Sequence, residues 1–159
     1  MAKYKIINGV GIIPNGTTEI ADNAFSWSYE LKSITIPTSV TKIGNRAFNE
    51  CWGLTSITIP NSVTKIGNWA FEGCTALTSI TIPNSVTKIG YEAFYECKNL
   101  KEIILFQTDP SKIKVTESSG LQKTQITLYV PKESVIAYQE HWFWSEFAAI
   151  KPITDDMLK

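Results

Sequence analysis

In Ser56-Ile57-Thr58-Ile59-Pro60, isoleucines alternate with hydroxyl residues, which puts Ile57 and Ile59 on one face of an extended segment and Ser56 and Thr58 on the other. Pro60 cannot donate to a ladder, so Pro60-Asn61-Ser62 ends the strand in a turn. Val63 and Ile66, three apart, point inward from a second short extended or turn segment. Gly67 supplies a permissive backbone, and Asn68 is expected to N-cap one short helical or 3₁₀ turn carrying Ala70, Phe71 and Cys74. From Cys74 the chain returns through Leu77 to another strand.

This pattern repeats. Thr55 to Gly67 recurs letter for letter as Thr78 to Gly90, a shift of 23 residues. The same shift aligns Pro14, Pro37, Pro60 and Pro83; Ile20, Ile43, Ile66 and Ile89; and Phe25, Phe48, Phe71 and Phe94. Where the consensus fades the shift still places Ile80, Ile103 and Ile126 in one column and Ile82, Leu105 and Leu128 in another, giving six rungs. Fixed self-similarity at this period marks a repeat solenoid, because one such unit cannot bury its apolar face without a stacked neighbour. Parallel strands about 4.8 Å apart make six rungs a rod roughly 24 Å long. The expected core is Ile34, Ile36, Phe48, Cys51, Ile57, Ile59, Phe71, Cys74, Ile80, Ile82, Phe94 and Cys97.

The whole chain, 1–159, reads as one domain. Residues 1–12 form an N-terminal cap with Tyr4 to Ile7 as its strand, 13–105 the regular repeats, 106–130 a degenerate repeat and 131–159 a C-terminal cap. Phe106 to Thr124 loses the Ala-Phe pair and the Cys; with Asp109-Pro110 and Ser118-Ser119-Gly120 as breakers it is expected to be a mobile loop. Lys132 to Glu140 carries Val135, Ile136 and Tyr138 on one helix, shielding the last rung together with Trp142, Phe143, Trp144 and Phe147.

The unit L-x-x-I-x-I-P-x-x-V-x-x-I-G-x-x-A-F-x-x-C resembles the BspA-like, spirochaete-type bacterial leucine-rich repeats, strongly over residues 13 to 105. Leu128-Tyr129-Val130-Pro131 and the aromatics after it resemble the segment that closes such arrays. The resemblance implies a β-rich α+β solenoid: a short right-handed coil with one parallel strand per rung, helical or 3₁₀ turns opposite, and a helical, aromatic C-terminal cap. It also implies a bacterial surface or secreted adhesion module that binds proteins, including extracellular-matrix glycoproteins, without catalysis.

Composition narrows the remaining chemistry. Fifteen Lys and Arg balance 15 Asp and Glu, and a net charge of zero removes the general motive for binding nucleic acid or an anionic membrane. No apolar run is long enough to span a bilayer, and the first residues lack the continuous apolar stretch of a signal peptide. Surface or secreted location is expected if a leader has been removed, cytoplasmic location if the chain is the complete native product. Cys51, Cys74 and Cys97, 23 apart, lack the close pairs of a zinc site and read as buried free thiols where the first repeat has Ser28. The single histidine, His141, sits in the aromatic tail far from them, so no nucleophile and base pair up; neither enzyme activity, metal nor cofactor is expected. Gly9-Val10-Gly11 lacks the third glycine of a dinucleotide loop, and Asn15-Gly16-Thr17 reads as a tight turn in preference to a glycosylation site.

Recognition then falls to the columns that vary between otherwise similar units. The position before Ala-Phe runs Asn23, Arg46, Trp69, Glu92, and the position after the Cys column runs Tyr29, Trp52, Thr75, Lys98. With Tyr91 and Tyr95 these columns place Trp52, Trp69, Arg46, Glu92 and Lys98 on the turn side as candidate contacts, because Tyr, Trp and Arg dominate binding hot spots. On the strand face the Ser and Thr ladders break at Glu102, Ile104 and Phe106, the second candidate patch. A monomeric protein-binding module is the preferred reading. A cytosolic scaffold or inert segment of a larger protein, and a carbohydrate binder using its aromatics, are the alternatives.

Overall fold

The computed structural model describes residues 4–116 and 120–158, and the expected breakers Ser118 and Ser119 lie outside them. Among the described residues, twelve short strands follow in chain order. They are β1 (Lys5–Ile7), β2 (Val10–Ile12), β3 (Glu19–Ile20), β4 (Ser33–Thr35), β5 (Lys42–Ile43) and β6 (Ser56–Thr58). After them come β7 (Lys65–Ile66), β8 (Ser79–Ile82), β9 (Lys88–Ile89), β10 (Glu102–Leu105), β11 (Thr127–Val130) and β12 (Ala149–Pro152). Among the described residues the one α-helix is α1 (Val135–Gln139).

Each rung is a three-sided coil. The Ser-Ile-Thr-Ile alternation forms the strand face, where β2, β4 and β6 pair in parallel, as do β8, β10, β11 and β12. The Lys-Ile pairs β3, β5, β7 and β9 form a second parallel sheet in unbroken register, Ile20 to Ile43 to Ile66 to Ile89. The third side is a run of turns stacked by main-chain bonds: the N–H groups of Phe25, Phe48 and Phe71 donate to the carbonyls of Ala47, Ala70 and Ala93 at 2.7–2.8 Å. Columns of one residue type fill the centre, and the rings of Phe25, Phe48, Phe71 and Phe94 stack at 5.3–5.5 Å within 5° of parallel. β1 covers the first rung by pairing antiparallel with β2, which satisfies the edge.

The structure corrects several sequence expectations. The six rungs stand, but the C-terminal cap adds a strand that was not expected: Ala149–Pro152 pairs as β12 beside β11 and extends the strand face to seven parallel strands among the described residues. Ile103 is in register with Leu128 and not Ile126, so the degenerate rung is two residues longer than the repeat. That rung is no open loop over its described part. Lys114 N–H donates to Thr87 O at 2.8 Å, Ile113 is buried, and Asp109 Oδ1 accepts from Ser111 N–H at 2.9 Å to cap a 3₁₀ turn, Pro110–Lys112.

Ile57 is half-buried, whereas Ile34 and Ile80 in its column are buried, and β6 and β8 do not pair. The strand face opens there into a cleft of about 430 Å³ edged by Thr58, Thr81, Pro83 and Phe106. Asn68 does not cap its own turn: its Oδ1 accepts from Tyr91 N–H one rung on, as Asn45 Oδ1 accepts from Asn68 N–H, both at 2.9 Å. Nor does Gly67 serve through backbone freedom. A Cβ on it would lie 2.7 Å from the Gly44 carbonyl carbon and 2.8 Å from Asn45 N, so the column needs glycine for close rung-to-rung approach.

The C-terminal cap is built around buried Tyr138, Phe143, Trp144 and Phe147. Tyr138 Oη donates to Gln107 O and Ser134 Oγ to Thr108 O, both at 2.7 Å, tying the cap to the degenerate rung. Ile136 and Trp142 are mostly exposed, Trp142 touching the cap edge-on at Phe143, and α1 spans only five residues.

Candidate functional site

The turn side owes its shape to two left-handed corners in each of the four regular rungs. Asn23, Arg46, Trp69 and Glu92 occupy one corner with φ of 48–61°, and Trp27, Glu50, Gly73 and Glu96 the other with φ of 58–75°. Non-glycine side chains rarely accept this backbone, which costs roughly 1–2 kcal/mol per residue. Stacked main-chain bonds hold the corners in place: Arg46 N–H donates to Asn68 O and Trp69 N–H to Tyr91 O, each at 2.9 Å.

Two aromatic groups result. Trp27, Tyr29 and Trp52 are each about half exposed; Tyr29 lies 4.5 Å from Trp52, and Trp27 stands 6.2 Å from both. Trp52 Nε1 donates to Glu50 Oε2, which fixes the indole. Farther along the axis the Arg46 guanidinium sits 4.2 Å above the half-buried Trp69 ring, Tyr91 packs edge-on at 5.3 Å, and Trp69 Nε1 donates to Glu92 Oε2 at 3.2 Å. Trp69 is therefore a sandwiched ring, while Tyr91 and Tyr95 remain exposed. The side is rimmed with carboxylates. Burial, followed by repulsion from Glu50, holds the Glu72 carboxyl above its usual value, and a hydrogen bond to Glu92 does the same for the Tyr91 phenol.

The predicted contacts do not form one surface. Trp52, Trp69, Arg46, Tyr91, Glu92 and Tyr95 share the turn side and its corners, and Lys98 there pairs with Glu96 at 3.4 Å. Glu102, Ile104 and Phe106 lie on or just beyond β10 on the strand face, where Ile104 sits in register between Thr81 and Tyr129. Trp27 was missed by sequence reasoning. Its signal was the column Trp27, Glu50, Gly73, Glu96, as variable as the two that were used.

Nucleophiles are held inert. Cys51, Cys74 and Cys97 are free and buried, and their thiols donate to the carbonyls of Phe25, Phe48 and Phe71 at 3.0–3.2 Å. Burial pushes the Cys51 and Cys97 thiols up to about 12 and raises Cys74 as well, so no thiolate forms near neutrality. His141 Nδ1 accepts from Phe143 N–H at 3.1 Å; burial lowers its pKa against the opposing pull of Asp109. Among the described residues no three His, Cys, Asp or Glu side chains converge on a metal-sized site, and no helix is long and apolar enough to cross a membrane. Asn15-Gly16-Thr17 is a turn, closed by Thr17 N–H and Oγ1 on Pro14 O.

Residues 13–148 match the family model described as BspA type leucine-rich repeat region, in six copies. Among solved structures, the Treponema pallidum leucine-rich repeat protein superposes with a TM-score of 0.71 at 22% identity, over 91% of this chain and 71% of that one. A leucine-rich cell surface protein from Faecalibacterium prausnitzii gives a TM-score of 0.62 at 26% identity, over 94% of this chain and 34% of its own. The pneumococcal vaccine antigen PcpA gives 0.62 at 20% identity, over 92% and 41%. The chain spans only about a third to two-fifths of the latter two proteins. No curated protein matches it.

Proposed function

Because the chain belongs to the BspA-type leucine-rich repeat family, we propose that it is a non-enzymatic protein-binding module acting at the cell surface or in secreted form, with its contact centred on Trp27, Tyr29 and Trp52. The observation that carries this reading is that aromatic group. Three large rings half open to solvent and touching one another form the kind of rigid, low-entropy surface on which hot spots are built. Arg46 and Trp69 extend it along the axis, and Glu50 and Glu92 supply a polar rim. The 26% identity to a protein described as a leucine-rich cell surface protein supports the location.

The test is binding of the reduced chain to immobilised extracellular-matrix glycoproteins, alongside Trp27→Ala/Trp52→Ala. Both side chains are about half exposed, so the variant keeps its fold by circular dichroism. Saturable binding that weakens at least tenfold in the variant is the expected result. Binding unchanged by the double substitution removes this surface from the function, and capture by no matrix protein removes the adhesive role.

A further inference from the structure

The second sheet carries a feature that the aromatic face does not explain. Lys42, Lys65 and Lys88 are in direct parallel register on β5, β7 and β9, and Lys114 continues the row through an isolated bridge to Lys88. Their isoleucine neighbours Ile43, Ile66 and Ile89 point into the core, so the lysines face solvent, and all four are exposed. Adjacent lysines stand one rung apart, about 4.8 Å, and the row extends over roughly 14 Å. Like charges directly opposite one another destabilise a sheet. Among the described residues no ion pair joins these lysines to a carboxylate; Glu19, in register with Lys42, and Asp22, which caps Asn45 N–H, close the row at its N-terminal end.

The row also has a bed. One depression of about 250 Å³ is edged by Lys42, Asn45, Lys65, Gly67, Asn68 and Lys88, and a second of about 490 Å³ by Lys65, Lys88, Ser111, Lys112 and Lys114. They share Lys65 and Lys88, making one groove along the axis. Gly67 edges the first depression without a side chain. Asn45 and Asn68 spend their Oδ1 atoms on the neighbouring rung, which leaves their Nδ2 groups as donors along the groove.

We propose that this lysine groove binds a linear sulfated polysaccharide, its sulfates pairing with successive ammonium groups while Asn45, Asn68 and Ser111 bond to the sugar. Charge complementarity demands an extended anion, and the neighbouring chemistry selects among such anions. No aromatic ring edges either depression, so a single-stranded nucleic acid would find no stacking platform. One straight row of charges on a sheet offers no two-sided grip on a duplex backbone. Amides and hydroxyls beside compact ammonium charges suit a hydroxyl-rich chain carrying discrete anionic groups.

The probe is heparin, immobilised and in solution, with uncharged dextran and double-stranded DNA for comparison. Lys65→Gln/Lys88→Gln removes the shared centre of the groove; Lys5→Gln/Lys151→Gln removes the same charge from exposed positions elsewhere. The wild-type chain is expected to bind heparin in a salt-dependent manner and to ignore dextran. Loss of two central lysines should weaken binding roughly thirty-fold at physiological salt, with the remote pair changing it by less than about threefold. Failure of the wild type to bind heparin, equal losses in the two double variants, or DNA binding as tight as heparin binding would each overturn the proposal. The Trp27→Ala/Trp52→Ala variant should bind heparin as the wild type does, which keeps this test separate from the aromatic contact.

Discussion

Replacing Phe71 by alanine tests the column principle on which the fold rests. The ring is fully buried and has a parallel neighbour on each side, Phe48 at 5.3 Å and Phe94 at 5.5 Å. A buried Phe removes about 150–250 Å² from water, and at about 25 cal/mol per Å² this amounts to roughly 4–6 kcal/mol as an upper bound. The hole cannot close, because Phe48 and Phe94 are fixed by the main-chain bonds of their own rungs. We expect a loss of about 4 kcal/mol. For a chain of this length it lowers the melting temperature by about 8–16 °C. Phe25→Ala should cost about 1 kcal/mol less, since one of its two neighbours is the tilted Tyr4 ring of the N-terminal cap, 36° from parallel. Urea titration followed by far-ultraviolet circular dichroism gives both values. A loss below about 1.5 kcal/mol for Phe71→Ala at unchanged slope would show that the rungs relax around a missing ring, and the rigid-column account would fail.

Four further outcomes follow from other columns. Gly67→Ala should destabilise by about 2–3 kcal/mol in the same titration, because its Cβ meets backbone of the rung below at 2.7 Å; a loss under about 1 kcal/mol would mean that rung spacing yields. The buried thiols keep their protons in the native state while unfolded thiols ionise above 9.0, so stability should hold below about pH 9 and fall as pH rises toward 12; Cys74→Ala should flatten that decline, seen as the urea midpoint between pH 8 and 10.5. Tyr138→Phe leaves the Gln107 carbonyl without its 2.7 Å donor and should cost about 1–2 kcal/mol, with faster amide exchange confined to the C-terminal cap. Glu96→Gly, at a left-handed corner where the preceding rung has Gly73, should raise stability by about 0.5–1 kcal/mol; no gain would mean the corner is unstrained.

The columns were legible because identical units must stack in identical register, so Ile34, Phe48, Phe71 and Cys74 declared their burial by recurrence alone. Departures from the repeat were less so. Ile126 continues the 23-residue column on paper, yet two extra residues in the degenerate rung bring Leu128 into that register, and only strand pairing reveals the slip. Asn68 has the local look of an N-cap, but its acceptor serves the next rung, 23 residues away, because the turn side is built from inter-rung bonds instead of a helix. Ile57 and Ile80 occupy the same place in a segment repeated letter for letter and each pairs on one side only, yet Ile80 is buried and Ile57 half-buried, a difference that identical letters cannot carry. Among the contact candidates, Trp52 and Trp69 read alike as variable aromatics. Arg46 and Tyr91 cover one of them and leave the other half open.

Whole-chain charge arithmetic does not say where the charges stand. A sum of zero from 15 cations and 15 anions suits a globular surface on which signs mix. In a solenoid each residue of the unit is copied along an axis, so charge is sorted by column. The Lys of Thr-Lys-Ile-Gly becomes the row Lys42, Lys65, Lys88, and the acids at the turn-side corners become Glu50, Glu92 and Glu96. At physiological ionic strength the screening length is about 8 Å, longer than the roughly 4.8 Å between rungs. Lysines one rung apart therefore act on an anion together, and the field an incoming chain meets is set by the column it approaches. An anion approaching the second sheet meets the lysine column, and a cation approaching the turn side meets its glutamates, on a molecule of zero net charge.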